Sequence, residues 1–83
     1  MEAVEGRDMA VLKKARKSSL MTQAEFVAAL ERERGKSTNV RNVVEWEKNP
    51  DKVSLATIQD YYTLCGTDAR VWIKEFVDSF FIA

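Results

Sequence analysis

Apolar residues recur every three or four positions along most of the chain, which is the spacing of amphipathic helices rather than of strands. Short polar stretches separate these segments. The pattern predicts five helices, at about residues 7–19, 22–34, 39–49, 54–66 and 67–81. Residues 1–6 are acidic, and we expect this short N-terminal segment to be frayed.

Residues typical of helix ends lie where these segments meet. Thr22 followed by Glu25 predicts a capping box, in which a hydroxyl and a carboxylate each accept a backbone N–H. Either Thr38 or Asn39 is expected to cap the third helix, and Ser54 the fourth. Residues that favour the end of a helix follow the second, third and fourth segments: Gly35, Pro50 and Gly66.

The composition is that of one small globular domain that spans residues 1–83. Hydrophobic residues make up 46% of the 83 positions and charged residues 31%, which excludes wholesale disorder. Only three glycines and one proline are present, so few turns are available and a compact all-β fold is not expected. The predicted fold class is therefore all-α.

Candidate chemistry is sparse, and we expect no enzyme, cofactor or metal. The chain has no histidine and a single cysteine, Cys65, which excludes imidazole catalysis and multi-cysteine metal sites. Its three glycines are far apart, so no phosphate-binding glycine loop is expected. No apolar run approaches the roughly 20 residues that span a bilayer, and we expect no membrane partner.

The third helix carries the most informative surface. It combines apolar residues with polar ones between them: Val40, Val43, Val44 and Trp46, with Arg41, Asn42 and Glu45. A helix that is anchored by apolar residues and turns Arg and Asn outward has the donors that read base edges. Residues 22–49 are therefore predicted to be a helix-turn-helix core that binds double-stranded DNA. Lysine and arginine total 13, as do aspartate and glutamate, which argues against strong non-specific binding of polyanions but not against specific binding.

From Leu12 to Gly66 the chain resembles the Cro/C1 type of phage-repressor helix-turn-helix domain, also called the xenobiotic-response-element family. The matching elements occur in the family's order: Arg16, Thr22-Gln23, Trp46-Glu47, Lys48-Asn49-Pro50 and Ser54-Leu55-Ala56-Thr57-Ile58. The resemblance implies a five-helix, lambda-repressor-like domain. Between Leu30 and Thr38 the chain is longer than the family's tight turn, so either the second helix is extended or the connection is a longer loop.

The resemblance also implies roles for individual residues. Arg16 and Glu47 match a salt bridge between the first and third helices, although two solvated surface charges are the alternative. Thr22 and Gln23 match the phosphate contact at the start of the second helix, although Gln23 can also be an ordinary surface residue. The residues at groove-facing positions are Asn39, Val40, Arg41, Asn42, Val44 and Glu45.

Base contacts follow from side-chain chemistry. Arg41 suits guanine and Asn42 suits adenine, whereas a phosphate contact or a free surface charge is the alternative for Arg41. Val43 and Trp46 are expected in the core. Three lysines flank the third helix and are better suited to phosphates: Lys36, Lys48 and Lys52.

The C-terminal aromatic helix, 67–83, is more apolar than an ordinary surface helix. Four of its aromatic residues are candidates for contact with a second copy or with another protein: Trp72, Phe76, Phe80 and Phe81. The alternative is that the small domain needs these rings for its own core.

Two functions are carried forward. The first is a sequence-specific transcriptional regulator, a cytoplasmic repressor of phage or mobile-element type that binds its operator as a homodimer. The second is an antitoxin-like or adaptor module that grips a protein partner through the aromatic helix.

Overall fold

The computed structural model describes residues 8–81, and these residues form an all-α fold without strands, as predicted. The helices are α1 (Val11–Ser18), α2 (Gln23–Arg34), α3 (Val40–Lys48), α4 (Leu55–Leu64) and α5 (Thr67–Asp78). A short 3₁₀ helix, Pro50–Lys52, joins α3 to α4. The expected fraying of residues 1–6 lies outside the described residues.

All five helices contribute to one hydrophobic core. Its buried members are Val11, Leu12, Ala15, Phe26, Leu30, Val43, Ile58, Tyr61, Cys65, Ala69, Ile73 and Phe76. The rings of Phe26 and Tyr61 stack with their centroids 4.2 Å apart, which joins α2 to α4. Helix α1 packs chiefly on α5 and also touches α3 and α4. Within residues 8–81, no helix has both the length and the apolar character needed to cross a bilayer.

The helix starts are fixed by the predicted caps. The Thr22 hydroxyl accepts the Glu25 amide at 3.1 Å, and the Glu25 carboxylate accepts the Thr22 amide at 2.8 Å. Of the two candidates for the third helix, Asn39 is the cap, since its side-chain oxygen accepts the Asn42 amide at 2.9 Å. Ser54 caps α4 by accepting the Thr57 amide. These local signals placed the starts of three helices correctly.

The additional residues after Leu30 extend α2 rather than form a long loop. The helix continues to Arg34 and ends at Gly35, whose φ of 65° lies in the left-handed region that glycine adopts at little cost. Residues 35–39 then connect α2 to α3. Of the two alternatives left open by the sequence, the extended helix is the correct one.

Two helices end slightly earlier than predicted. Helix α4 ends at Leu64, with Cys65 as its C-cap, and Gly66 instead precedes α5 with an ordinary φ of −73°. Helix α5 ends at Asp78 and not near Phe81. Beyond Asp78 the amides of Phe80 and Phe81 bond to carbonyls three residues back, which tightens the chain into a turn.

The turn between α1 and α2 contains an unusual backbone conformation at Leu20, whose φ is 60°. Leucine rarely adopts this value, so neighbouring interactions must hold it. Arg16 supplies them: its guanidinium donates to the Met21 carbonyl at 2.8 Å, and its carbonyl accepts the Met21 amide at 3.4 Å. Arg16 therefore fixes the entry into α2 as well as its own helix.

Candidate nucleic-acid interface

Glu47, on the inner side of α3, is the anchor of the candidate interface. The structure contains its ion pair with Arg16, in which Nε and Nη2 donate to the two carboxylate oxygens at 2.7 and 3.0 Å. The Tyr61 hydroxyl donates to Oε2 at 3.1 Å, and the Gln23 amide donates to Oε1 at 3.3 Å. The donors come from α1, α4 and α2, so one carboxylate of α3 is tied to each of the other helices that surround it.

This network is buried, which strengthens its interactions. Arg16 is 6% exposed and Glu47 is 7% exposed. The hydrogen bond to Glu47 raises the pKa of Arg16, and burial is the main cause that raises the pKa of the Tyr61 hydroxyl, followed by the Glu47 charge. Arg16 therefore stays protonated and Tyr61 stays a donor at any ordinary pH. A forked arginine–carboxylate pair with a further buried donor gives α3 a defined orientation.

The outer face of α3 is open. All six predicted base-reading residues are exposed: Asn39, Val40, Arg41, Asn42, Val44 and Glu45. Val43 is fully buried, and Trp46 is half-buried against the core, as expected for both. The helix thus presents Arg41 and Glu45 on the side away from its buried residues Val43 and Glu47, and Val44 is exposed at the margin of that side.

Neighbouring groups leave most of the polar atoms on this face available. The side-chain Nδ2 of Asn42 donates to the Thr38 hydroxyl at 3.0 Å. This leaves the side-chain oxygen and the second hydrogen on Nδ2 free for a base. Glu45 accepts from the Asn49 side chain at 3.3 Å. Among residues 8–81, the side chain of Arg41 forms no hydrogen bond or ion pair, and it is exposed to solvent.

The start of α2 carries the two residues that were predicted to contact phosphate. Thr22 is exposed, and because its oxygen accepts the Glu25 amide, its O–H remains able to donate. Gln23 is half-buried, with its amide nitrogen against Glu47. This contact adds a role that the sequence did not reveal, since Gln23 connects α2 to the anchor of α3.

The three flanking lysines differ in their surroundings. Lys48 and Lys52 are exposed and form no ion pair within the described part of the chain. Lys36, which was also predicted to contact phosphate, is half-buried and pairs with Asp60 at 2.8 Å. The Lys36 ammonium thus already has a buried carboxylate as partner, and its contact with phosphate stays a prediction.

Sequence reasoning missed Asp60 and Tyr61, both on α4. Asp60 is 2% exposed and pairs with Arg34 as well as with Lys36, at 3.0 and 2.8 Å. The sequence carried little signal for Asp60, which lies at the edge of the apolar face of α4, four residues before Leu64. A buried carboxylate requires partners, and here they come from the end of α2 and the connection after it.

The aromatic residues of α5 are divided between core and surface. Phe76 was predicted to contact a partner, but it is 1% exposed and lies in the core, so that prediction was wrong. The physical reason is that Phe76 belongs to the core cluster that α5 shares with the other helices. Trp72 is half-buried, and the Lys14 ammonium lies 4.3 Å from its ring centroid. Trp72 therefore covers the contact between α1 and α5.

An apolar groove runs along α4 and α5 on another side of the molecule. It consists of two adjoining pockets that share Leu55, Ile58 and Val77. Phe80 and Phe81 line one end, where Phe81 is 77% exposed. Phe80 meets the Phe76 ring edge-on at 5.0 Å, so it belongs partly to the core. Exposed apolar surface is concentrated here rather than around Trp72.

Comparison with known proteins adds no assignment, because no family model, curated protein or solved structure matches this chain.

Proposed function

We propose that this protein is a sequence-specific DNA-binding regulator that inserts α3 into the major groove. The observation that carries the proposal is the division of α3 into two sides. One side ends in the buried, four-fold hydrogen-bonded Glu47, whereas the other exposes Arg41 and Asn42 with free polar atoms. A rigid helix with unpaired donors on its outer face is what base recognition requires.

The exposed side chains suit particular base edges. The free fork of Arg41 suits the two acceptors of guanine, and the remaining amide atoms of Asn42 suit the donor and acceptor of adenine. Val40 and Val44, both exposed, are suited to the methyl group of thymine. Glu45 can accept from the amino group of cytosine.

Phosphate contacts fall to residues that flank α3. Lys48 ends α3, Lys52 lies in the short 3₁₀ helix after it, and both carry unpaired charges; the Thr22 hydroxyl lies at the start of α2. Such contacts position the protein on the duplex without selecting a sequence. Because exposed unpaired cations are few here, we expect binding to depend on bases more than on charge.

We further propose that the protein represses transcription as a homodimer. Two copies joined by a two-fold axis place two copies of α3 in successive major grooves, about 10 base pairs apart. The groove formed by α4 and α5, with Phe81 at its end, supplies an apolar surface for such contact. A protein with this activity acts in the cytoplasm of a bacterium, where it excludes other proteins from its operator.

The proposal is tested by selecting duplexes from a randomised pool with the wild-type chain and then measuring affinity across a salt series. We expect an enriched sequence containing two half-sites, and a log affinity that falls linearly with log salt concentration. Failure to bind any duplex at about 50 mM salt contradicts the proposal.

A protein-interaction module is the second candidate function. The observation that favours it is the same apolar groove, since exposed apolar patches mark interfaces. The salt series separates the two candidates, because a protein adaptor without phosphate contacts shows no DNA binding at low salt.

A further inference from the structure

Asp60 joins α4 to both sides of the bend that follows α2. Its Oδ1 accepts from Nε of Arg34, the last residue of α2, at 3.0 Å, and its Oδ2 accepts from Nζ of Lys36 at 2.8 Å. Gly35, with its left-handed φ, lies between the two cations. One buried carboxylate thus holds the bend from which the chain enters α3.

The pairing also changes the charge that this region presents. Arg34 and Lys36 are only partly exposed, with side-chain exposures of 34% and 41%. Each directs its charge toward a carboxylate that is almost fully buried. Coulomb attraction to a buried carboxylate is stronger than in water, so both cations are drawn toward Asp60, whose single negative charge offsets one of the two positive charges. Lys36 lines the same pocket as Thr38 and Asn42, which places this partly offset charge beside the start of α3.

We infer that Asp60 is a positioning residue for DNA recognition, an assignment that depends on the proposed function. It fixes the connection into α3, and it lowers by one the positive charge that Arg34 and Lys36 together present to the phosphates. Both effects favour sequence over charge as the basis of affinity, because phosphate contacts contribute to every duplex equally.

The first test compares two lysines on random duplex DNA. We measure the slope of log affinity against log salt for wild type, Lys36→Gln and Lys48→Gln. Each phosphate contact contributes about −0.9 to this slope. Lys48→Gln is expected to flatten the slope by about 0.9, whereas Lys36→Gln is expected to leave it unchanged because Lys36 is held by Asp60.

The second test removes the negative charge of Asp60 that holds Arg34 and Lys36. Asp60→Asn keeps the side-chain shape but removes the charge, so we expect tighter binding to random duplexes and a slope steeper by about 1 to 2. Affinity for the selected duplex should not rise in proportion, so the ratio of specific to random affinity falls. Asp68→Asn is the control, because it makes the same change in net charge at an exposed site at the start of α5. Adding Lys36→Gln to Asp60→Asn should reverse part of the gain.

The possible outcomes distinguish failure of the inference about Asp60 from failure of the proposed DNA-binding function. If Lys36→Gln flattens the slope as much as Lys48→Gln, the inference is overturned while DNA binding stands. Equal slopes for Asp60→Asn and Asp68→Asn overturn it as well. If the wild type binds no duplex at low salt, the proposed function and the inference fall together. Should Asp60→Asn not fold, the comparison of the two lysine variants decides alone.

Discussion

At the scale of the residue, the single carboxylate of Glu47 accepts hydrogen bonds from side chains on three other helices. Taking a carboxylate out of water costs several kcal/mol, so Glu47 is stable in this place only because Arg16, Gln23 and Tyr61 surround it. The arrangement is interdependent, since removal of any donor leaves the others around a charge that is less well compensated.

Replacement of Arg16 by Met should destabilise the fold by about 3 kcal/mol, because it leaves Glu47 buried without its ionic partner. It also removes the bond from the Arg16 guanidinium to the Met21 carbonyl, which helps to hold the strained Leu20 turn. Urea denaturation measures the change. Lys17→Met, on the exposed side of α1, is the control, and a change as small as that of the control contradicts a buried ion pair.

Removal of the Tyr61 hydroxyl tests the same network from α4. Tyr61→Phe keeps the stacked contact with Phe26 but deletes a hydrogen bond to a charged group, and we expect a loss of about 1.5 kcal/mol. Tyr62→Phe is the matched control, since Tyr62 is exposed and its change should stay within about 0.5 kcal/mol. Equal melting temperatures for the two variants would show that Tyr61 contributes only its ring.

At the scale of the element, the start of α3 depends on a residue that also faces the proposed groove. Asn39 caps the helix through the Asn42 amide, and its side chain is exposed. The cap satisfies an amide at the helix start that would otherwise lack a partner. The Asn39 side chain therefore has a structural role and a proposed role in DNA recognition, and two substitutions are needed to separate these roles.

Asn39→Ala should destabilise the domain by about 1 kcal/mol, the usual cost of losing a cap. Asn39→Asp preserves the cap, so its stability should match wild type within about 0.5 kcal/mol, but its negative charge should weaken DNA binding at least tenfold. Thermal unfolding and fluorescence anisotropy supply the two readouts. If Asn39→Asp binds DNA as well as wild type, Asn39 does not lie near the duplex.

Local features of the helices could be predicted from the sequence, whereas contacts between distant residues could not. Caps such as Thr22, Asn39 and Ser54 were predictable because each acts on a backbone amide three residues away. The pairing of Asp60 with Arg34 was not, because it joins residues 26 positions apart, and periodicity shows only that a position faces inward. Phe76 illustrates the same limit, since the pattern marked an apolar side of α5 without showing which residues α1 and α4 would cover. The Arg16–Glu47 pair was reached only through resemblance to a family.

At the scale of the whole molecule, two surfaces of different character lie outside one shared core. The outer face of α3 is polar, whereas the groove of α4 and α5 is apolar and ends at Phe81. Under the proposed function, this separation would let one copy contact DNA and a second copy at the same time. It also means that oligomerisation and DNA contact can be changed independently.

Phe81→Asp should therefore convert a dimer into a monomer, with at least a tenfold weaker self-association, because it places a charge within an apolar interface. Sedimentation equilibrium gives the association constant. Leu20→Asp is the control, since Leu20 is also exposed and apolar but lies outside the groove. A monomeric wild type, or a Phe81→Asp variant that associates as wild type does, contradicts dimer formation through this surface.

The central claim is that α3 reads bases, and affinity of Arg41→Ala for selected and random duplexes tests it most directly. We expect roughly a ten- to a hundredfold loss on the selected duplex and little change on random DNA, because a base contact contributes about 1–3 kcal/mol of discrimination. Arg32→Ala, which removes an exposed arginine from α2, is the control and should affect both duplexes alike. An equal loss on both duplexes in Arg41→Ala would mean that Arg41 contacts the phosphate backbone, and base recognition by this residue would be refuted.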